Sequence, residues 1–309
     1  MCRLIGFASP TPTTLVELIG DLQCSTFQHM SRLHADGWGT MRLNAENSID
    51  SVTIATPGQD DDLLTSAMAD VPTRARVVHL RMATDGMAVR RENSHPFVTD
   101  GIGLAHNGSV VPTALFRDHL SPEVLAGVRG DTDSELYLAA IRQGVRTGLS
   151  LGDAVIETVG WLRSVYPKAS LNALVLSADE FVAVHASSFA TAPYAEFTAS
   201  GLAEHELPLD HVDAYYQLSY LRRDDGAVAF SSTGIDRSGW SALPGESVTT
   251  VNLTTFELST RLLEPVGSAA SAAPAASAVS AVSAVSAVSA ASAVSAAPAA
   301  PAAQRESVT

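Results

Sequence analysis

The chain has 309 residues, 46% of them hydrophobic, a formal net charge of −14 and two cysteines, Cys2 and Cys24. One large core fits that length, while the acidic balance disfavours a nucleic-acid duplex or an anionic bilayer as partner. Two such cysteines form neither a disulfide framework nor a Cys-x-x-Cys metal pair. The sequence predicts no signal peptide and no membrane span, since it has no basic head before an apolar stretch and no apolar run of about 18 residues. A reducing cytoplasm is the expected compartment.

In chain order, Arg3–Ala8 reads as a short apolar strand, and Leu15, Leu18, Ile19 and Leu22 follow helical spacing. "GWGTMRL" and "SVTIAT" read as strands. "DDLLTSAMADV" reads as a helix with acidic residues at its start, where the helix dipole favours them. "ARVVHLRM" and "GIGLAHNG" are strands, the second running into a glycine turn. Thr132-x-x-Glu135 has capping-box spacing and predicts a helix start, and Val155, Val159 and Leu162 mark a second helix. Then come strands again: "LNALVLS", "EFVAVHAS", "YYQLSYL", "AVAFSST", "SVTTVNL" and "FELSTRLL". Strands, two helices and strands again predict an α+β domain with mostly antiparallel sheets over residues 2–265. Residues 266–309 form a low-complexity Ser/Ala/Val/Pro tail, including "AVSAVSAVSAVSA", expected to be disordered.

Polar, aromatic and glycine residues gather at strand ends in the first half, where sites are usually built. His34, Asp36, His79, His95 and His106 are metal-ligand types, but their spacing matches no zinc pattern, so neither metal nor cofactor is expected. Cys2 offers other chemistry. Removal of Met1 would give one residue both a thiol and an α-amine of pKa about 7.7–8.0, that is, a nucleophile and a base. The Asn107 side-chain amide and the Gly108 N–H suit an oxyanion. Arg81 suits a carboxylate and Asp133 an ammonium group, so an amino-acid substrate and acyl transfer are the natural reading.

These residues fall in blocks: Cys2 before a short apolar strand, Asp36-Gly37-Trp38-Gly39, His79-Leu80-Arg81-Met82-Ala83-Thr84, His95-Pro96-Phe97, His106-Asn107-Gly108 and Thr132-Asp133-Ser134-Glu135. In this order they resemble the class II glutamine amidotransferases, of the N-terminal-nucleophile hydrolases. The resemblance implies a four-layer αββα sandwich with two mostly antiparallel sheets. It implies that Cys2, freed by loss of Met1, attacks the side-chain amide of glutamine or of a γ-glutamyl amide and forms a γ-glutamyl thioester that water cleaves to glutamate. Asn107 and Gly108 would form the oxyanion hole. Arg81 and Thr84 would hold the α-carboxylate, and Asp133 the α-ammonium. Asp36, Gly37 and Trp38 would wall the nucleophile, with His95 and His106 as supports.

Met82 and Asp85 stand where better-known branches carry Trp and His, which bears on the substrate. Many members continue into a synthase domain that uses the released ammonia, where this chain has its Ser/Ala/Val repeats. The likeness is to stand-alone members with His-x-Asp-Gly-Trp-Gly, some of which cleave γ-glutamyl bonds in peptides or thiol metabolites, including an ergothioneine-pathway hydrolase. A separate synthase subunit that accepts the ammonia is an alternative. A non-catalytic module that senses an amino acid through Arg81 and Asp133 is a reading of another class.

Overall fold

A computed structural model of the chain describes residues 2–83 and 86–265. Thr84 and the segment expected to be a tail lie outside them. The strands are β1 (Arg3–Thr13), β2 (Trp38–Leu43), β3 (Ile49–Ile54), β4 (Thr73–Leu80), β5 (Phe97–Thr99), β6 (Ile102–Asn107), β7 (Asn172–Leu176), β8 (Glu180–His185), β9 (Ser219–Arg222), β10 (Val228–Ser231), β11 (Ser241–Ala242), β12 (Ser247–Asn252) and β13 (Leu258–Leu262). The helices are α1 (Leu15–Ile19), α2 (Asp21–His29), α3 (Asp62–Ala69), α4 (Ala114–His119), α5 (Pro122–Leu125), α6 (Asp133–Arg146), α7 (Leu151–Val165) and α8 (Tyr194–Ala199). One sheet runs β11-β9-β10-β1-β4-β2-β3 and the other β13-β12-β8-β7-β6-β5, and every strand pairing in them is antiparallel.

Side-chain alternation in β1 builds the layers. Leu4 and Ala8 face a core shared with Leu174, Leu176, Phe181 and Ala183 of the second sheet. Ile5 and Phe7 face Leu15, Phe27, Leu64 and Met68 of α1, α2 and α3. Successive residues of a strand point to opposite faces, so one strand serves both cores. Gly6 sits at the close approach of the sheets, where a Cβ would press on Arg76 O, Phe181 and Leu174. The outer face of the second sheet packs Ala173, Val175, Val182 and Val184 against α6 and α7 through Leu136, Ile141, Val155 and Leu162. The result is the expected α+β sandwich of helices, two antiparallel sheets and helices. Each large apolar side chain in these cores contributes roughly 1.5–3 kcal/mol by burial.

Local chemistry explains where the sequence reading and the fold differ. The first helical pattern is two helices, because Gly20 takes φ +89° between α1 and α2. The Thr132 hydroxyl accepts from Glu135 N at 3.1 Å, as expected, but the Glu135 carboxylate turns instead to Arg129 N and Gly130 N, at 2.9 and 2.6 Å. It thereby fastens the loop that leads into α6. "YYQLSYL" is a strand only from Ser219; Tyr215 and Tyr216 leave the ladder to pack with Leu33, Met82 and Phe197. No helix among the described residues is long and apolar enough to cross a membrane.

Candidate active site

Strand register places the sequence candidates. Leu4 pairs with His79 and Arg3 with Leu80 across β1 and β4, while Trp38 pairs with Leu80 and Gly39 with His79 across β2 and β4. Directly paired residues share a face and neighbours alternate, so Leu4 and His79 look into the space between the sheets. In β6, Asn107 pairs with Asn172 and His106 with Ala173. Ala173 belongs to the outer, helix-facing core, so His106 faces α6 and Asn107 faces the other sheet. The site thus forms where the ends of β1, β4 and β6 meet between the sheets.

At its centre Cys2 is 5% exposed. Its backbone nitrogen donates to Asn107 Oδ1 at 2.8 Å, and its thiol lies 3.8 Å from the Met82 carbonyl. With Oδ1 occupied, Asn107 Nδ2 is a buried donor without a partner. Burial pushes the Cys2 thiol up, but His79, followed by the charged amino terminus, outweighs it and brings the thiol down to about 6. In the sequence His79 was part of a motif and one of several metal-ligand types, with no place in the catalytic reading. Only the β1–β4 register reveals that it stands beside Cys2.

The next residue in the chain braces the first. Arg3 is fully buried; its Nε donates to the Cys2 carbonyl at 2.6 Å and its Nη1 to Thr233 Oγ1 at 2.5 Å and Tyr215 O at 3.2 Å. Its guanidinium carbon lies 3.8 Å from the centroid of the Tyr215 ring. Burial pulls the Arg3 guanidinium below its ordinary value, and Tyr215 counters it. Sequence reading placed Arg3 at the head of an apolar strand without a role, because its partners lie more than 200 residues away.

Arg81 is 2% exposed, and its guanidinium donates to the carbonyls of Asp36 at 3.3 Å and Ala88 at 3.4 Å. Among the described residues it has no carboxylate in ion-pair contact. Burial lowers its pKa, with Cys2 and then Asp36 opposing. Asp36 ties down the same segment: its Oδ2 accepts from Ala83 N at 2.7 Å, its N–H donates to Arg81 O at 3.0 Å, and Arg81 N donates to Gly37 O at 2.8 Å. The Met82 carbonyl under the thiol is therefore held from both sides. Trp38, expected beside Asp36 as a wall of the nucleophile, is on the opposite face of its sheet from His79. It packs with Leu80, Phe27 and Leu64 and donates from Nε1 to Asp61 at 2.9 Å.

Gly108 follows β6 in tight quarters, where a Cβ would run into Ser170 O and the His106 ring. His106 is fixed by Ser134 Oγ at 2.9 Å on Nδ1 and Ser170 O at 2.8 Å on Nε2, so Nε2 carries its hydrogen and Nδ1 accepts. Asp133, first residue of α6, accepts from Val110 N with Oδ2 and so anchors the turn after Gly108. The His95 ring lies 4.2 Å from that of His79, centroid to centroid, tilted by 33°, and both its ring nitrogens are buried without partners among the described residues. Cys24 lies in the helix-side core, its thiol pushed up to about 12 by burial and then Asp21, consistent with an ordinary packing residue. A cavity of about 580 Å³ opens elsewhere, lined by Leu22, His29, Leu33 and Leu209, and none of the candidate residues borders it. The convergence of functional groups, not cavity size, marks the site.

A family model described as Glutamine amidotransferases class-II matches residues 1–217. The chain belongs to this family. Curated relatives include the glutamine–fructose-6-phosphate aminotransferases (isomerizing) of Bacillus licheniformis, 26% identical over 169 residues, and of Rhizobium meliloti, 24% identical over 175. These matches cover 54% and 55% of the chain but 26% and 27% of the relatives, so the chain spans about a quarter of their length. A solved glutamine aminotransferase class-II domain protein from Silicibacter pomeroyi superposes with a TM-score of 0.56 at 17% identity, over 85% of this chain and all of that one. The glutamine phosphoribosylpyrophosphate amidotransferase of B. subtilis gives 0.51 at 15%, over 84% of this chain and 49% of that one. The solved structures agree on the fold.

Proposed function

We propose that the chain is an amidohydrolase of the glutamine amidotransferase type, acting on the side-chain amide of glutamine or of a γ-glutamyl compound in a reducing cytoplasm. The observation that carries this reading is the bond from the Cys2 nitrogen to Asn107 Oδ1. It joins in one buried spot a thiol, the nitrogen that becomes an α-amine when Met1 is removed, and an amide donor that has no partner.

In this mechanism the Cys2 sulfur attacks the δ-carbonyl carbon while its α-amine holds the thiol's proton. The carbonyl π pair moves onto oxygen, and Asn107 Nδ2 and the Gly108 N–H receive the resulting oxyanion. Collapse breaks the C–N bond, and the leaving amine or ammonia takes the proton from the α-ammonium. Water then attacks the γ-glutamyl thioester, with the α-amine as base, and releases glutamate and the thiol. The His79 ring beside the sulfur favours the thiolate. Arg81, with Thr84, takes the α-carboxylate in exchange for its two weak carbonyl contacts, and Asp133 takes the α-ammonium. Asp36 and Gly37 hold the segment that presents Arg81.

The test is glutamate release by Met1-processed protein, beside a Cys2→Ala control, from glutamine and a panel of γ-glutamyl amides. Cys2-dependent release is expected, and the preferred leaving group separates a glutaminase from a hydrolase of a γ-glutamyl thiol metabolite or peptide. Release only when a synthase chain is added would identify a separate ammonia acceptor. No release under any condition would favour an amino-acid sensor and overturn the reading.

A further inference from the structure

We propose that Cys2, His79 and His95 form a zinc-binding site that, when filled, caps the nucleophile. The Cys2 sulfur and one ring nitrogen of each histidine all lie within 4.8 Å of one another, and all three residues are buried. No sequence spacing announces this set, because its members come from the chain terminus, the end of β4 and the turn before β5.

Two independent observations point to a ligand. His95 is 5% exposed and neither ring nitrogen has a hydrogen-bond partner, a costly state for a buried imidazole unless something else engages it. His79 has its Nε2 on the His106 carbonyl at 3.3 Å, so Nε2 carries the hydrogen and the buried, unpartnered Nδ1 offers its lone pair. A backbone carbonyl on the far nitrogen is the usual support of a metal-binding histidine.

The donor set fits the ion. One thiolate and two imidazoles suit zinc, and three protein ligands leave a fourth position for water. Ligand atoms on a tetrahedral zinc stand roughly 3.3–3.6 Å apart by ordinary Zn–S and Zn–N lengths, so side-chain rotation must close part of the gap. On binding, the thiol gives its proton to solvent and its sulfur lone pair to the metal, with no change of oxidation state. The sulfur is then unavailable to an electrophile, and a chelator restores it. The inference does not depend on the hydrolase reading, since it concerns only access to the Cys2 sulfur.

The experiment uses chelator-treated full-length protein and Co²⁺ as a spectroscopic stand-in for zinc. One equivalent is expected to give near-ultraviolet thiolate-to-cobalt absorption, displaced by Zn²⁺. One equivalent of Zn²⁺ should slow iodoacetamide labelling of Cys2 by at least tenfold, reversibly with chelator. His95→Gln should weaken this protection at least tenfold, and Cys2→Ala should abolish the absorption. Absorption that persists in Cys2→Ala would place the cobalt on the other thiol, Cys24, and zinc protection equal in wild type and His95→Gln would show that His95 is no ligand; either overturns the proposal. Unhindered labelling of Cys2 with Zn²⁺ in excess would do so as well. Each readout is independent of turnover, so an inactive protein tests the site equally.

Discussion

The backbone nitrogen of Cys2 donates to the side-chain oxygen of Asn107 at 2.8 Å across 105 residues of sequence. The bond orients both partners: it fixes the Cys2 nitrogen, and it leaves Nδ2 as the free end of the amide. Asn107→Asp keeps an acceptor for Cys2 and replaces the donor with a second oxygen. One oxyanion donor is worth about 2.7–4 kcal/mol in the transition state. We therefore expect kcat for glutamate release to fall by roughly two to three decades, with KM changed far less. An unchanged kcat would remove Asn107 from the oxyanion hole.

The thiol of Cys2 titrates at about 6, because His79 and the amino terminus outweigh the upward push of burial. The reactive thiolate therefore appears as pH rises through that value. In chelator-treated protein, the iodoacetamide rate at Cys2 should rise with a midpoint near pH 6. In His79→Asn the midpoint should climb, since burial then meets less opposition. A midpoint that stays put in the variant would show that His79 does not set the thiol's acidity.

Arg3 holds the Cys2 carbonyl, Thr233 and the Tyr215 ring together in a dry setting. Arg3→Met removes the donor and leaves buried carbonyls unpaired, at about 1–3 kcal/mol for such a group. Arg3→Lys keeps the charge but lacks the planar fork that reaches three partners. Denaturant unfolding should register a loss for both variants. Their kcat should fall more than their KM rises, because Cys2 loses its brace while the Arg81 clamp stays. Full activity with wild-type stability in Arg3→Met would deny it a positioning role.

Gly108 has no room for a side chain beside Ser170 O and His106. Overpacking costs typically about 1–3 kcal/mol, and any relief here must move the N–H assigned to the oxyanion. Gly108→Ala should lower the melting temperature and depress kcat together. Gly148, where an added Cβ meets nothing within 4 Å but φ is +99°, is the control: Gly148→Ala should affect stability without kcat.

Among the described residues the Arg81 guanidinium bonds only to two carbonyls, at 3.3 and 3.4 Å, which leaves it available for the proposed substrate carboxylate. Arg81→Lys should raise KM for glutamine at least tenfold, because an ammonium cannot reproduce a bidentate grip. The rate of Cys2 alkylation should change little. An unchanged KM would place the substrate carboxylate elsewhere.

Much of this molecule is written locally. Period-two apolar runs make the strands, and Thr132 and Glu135 mark the start of α6, because pleat geometry and orphan helix N–H groups act over a few residues. The blocks around Cys2, Arg81, Asn107 and Asp133 were likewise legible as a constellation, since residue types and their order carry the family's signal. Register and facing belonged to the tertiary structure alone. Trp38 and His79 lie in adjacent strands with motifs of equal prominence, yet the pairing of Trp38 with Leu80 sends it to the helix side and leaves His79 beside the thiol. Arg3 is buried because Tyr215 and Thr233 come back to meet it from more than 200 residues away. His95 joins Cys2 and His79 only because the ends of distant strands converge. Sequence fixes what each residue can do; which residues meet is set by long-range pairing and burial, whose partners no local pattern names.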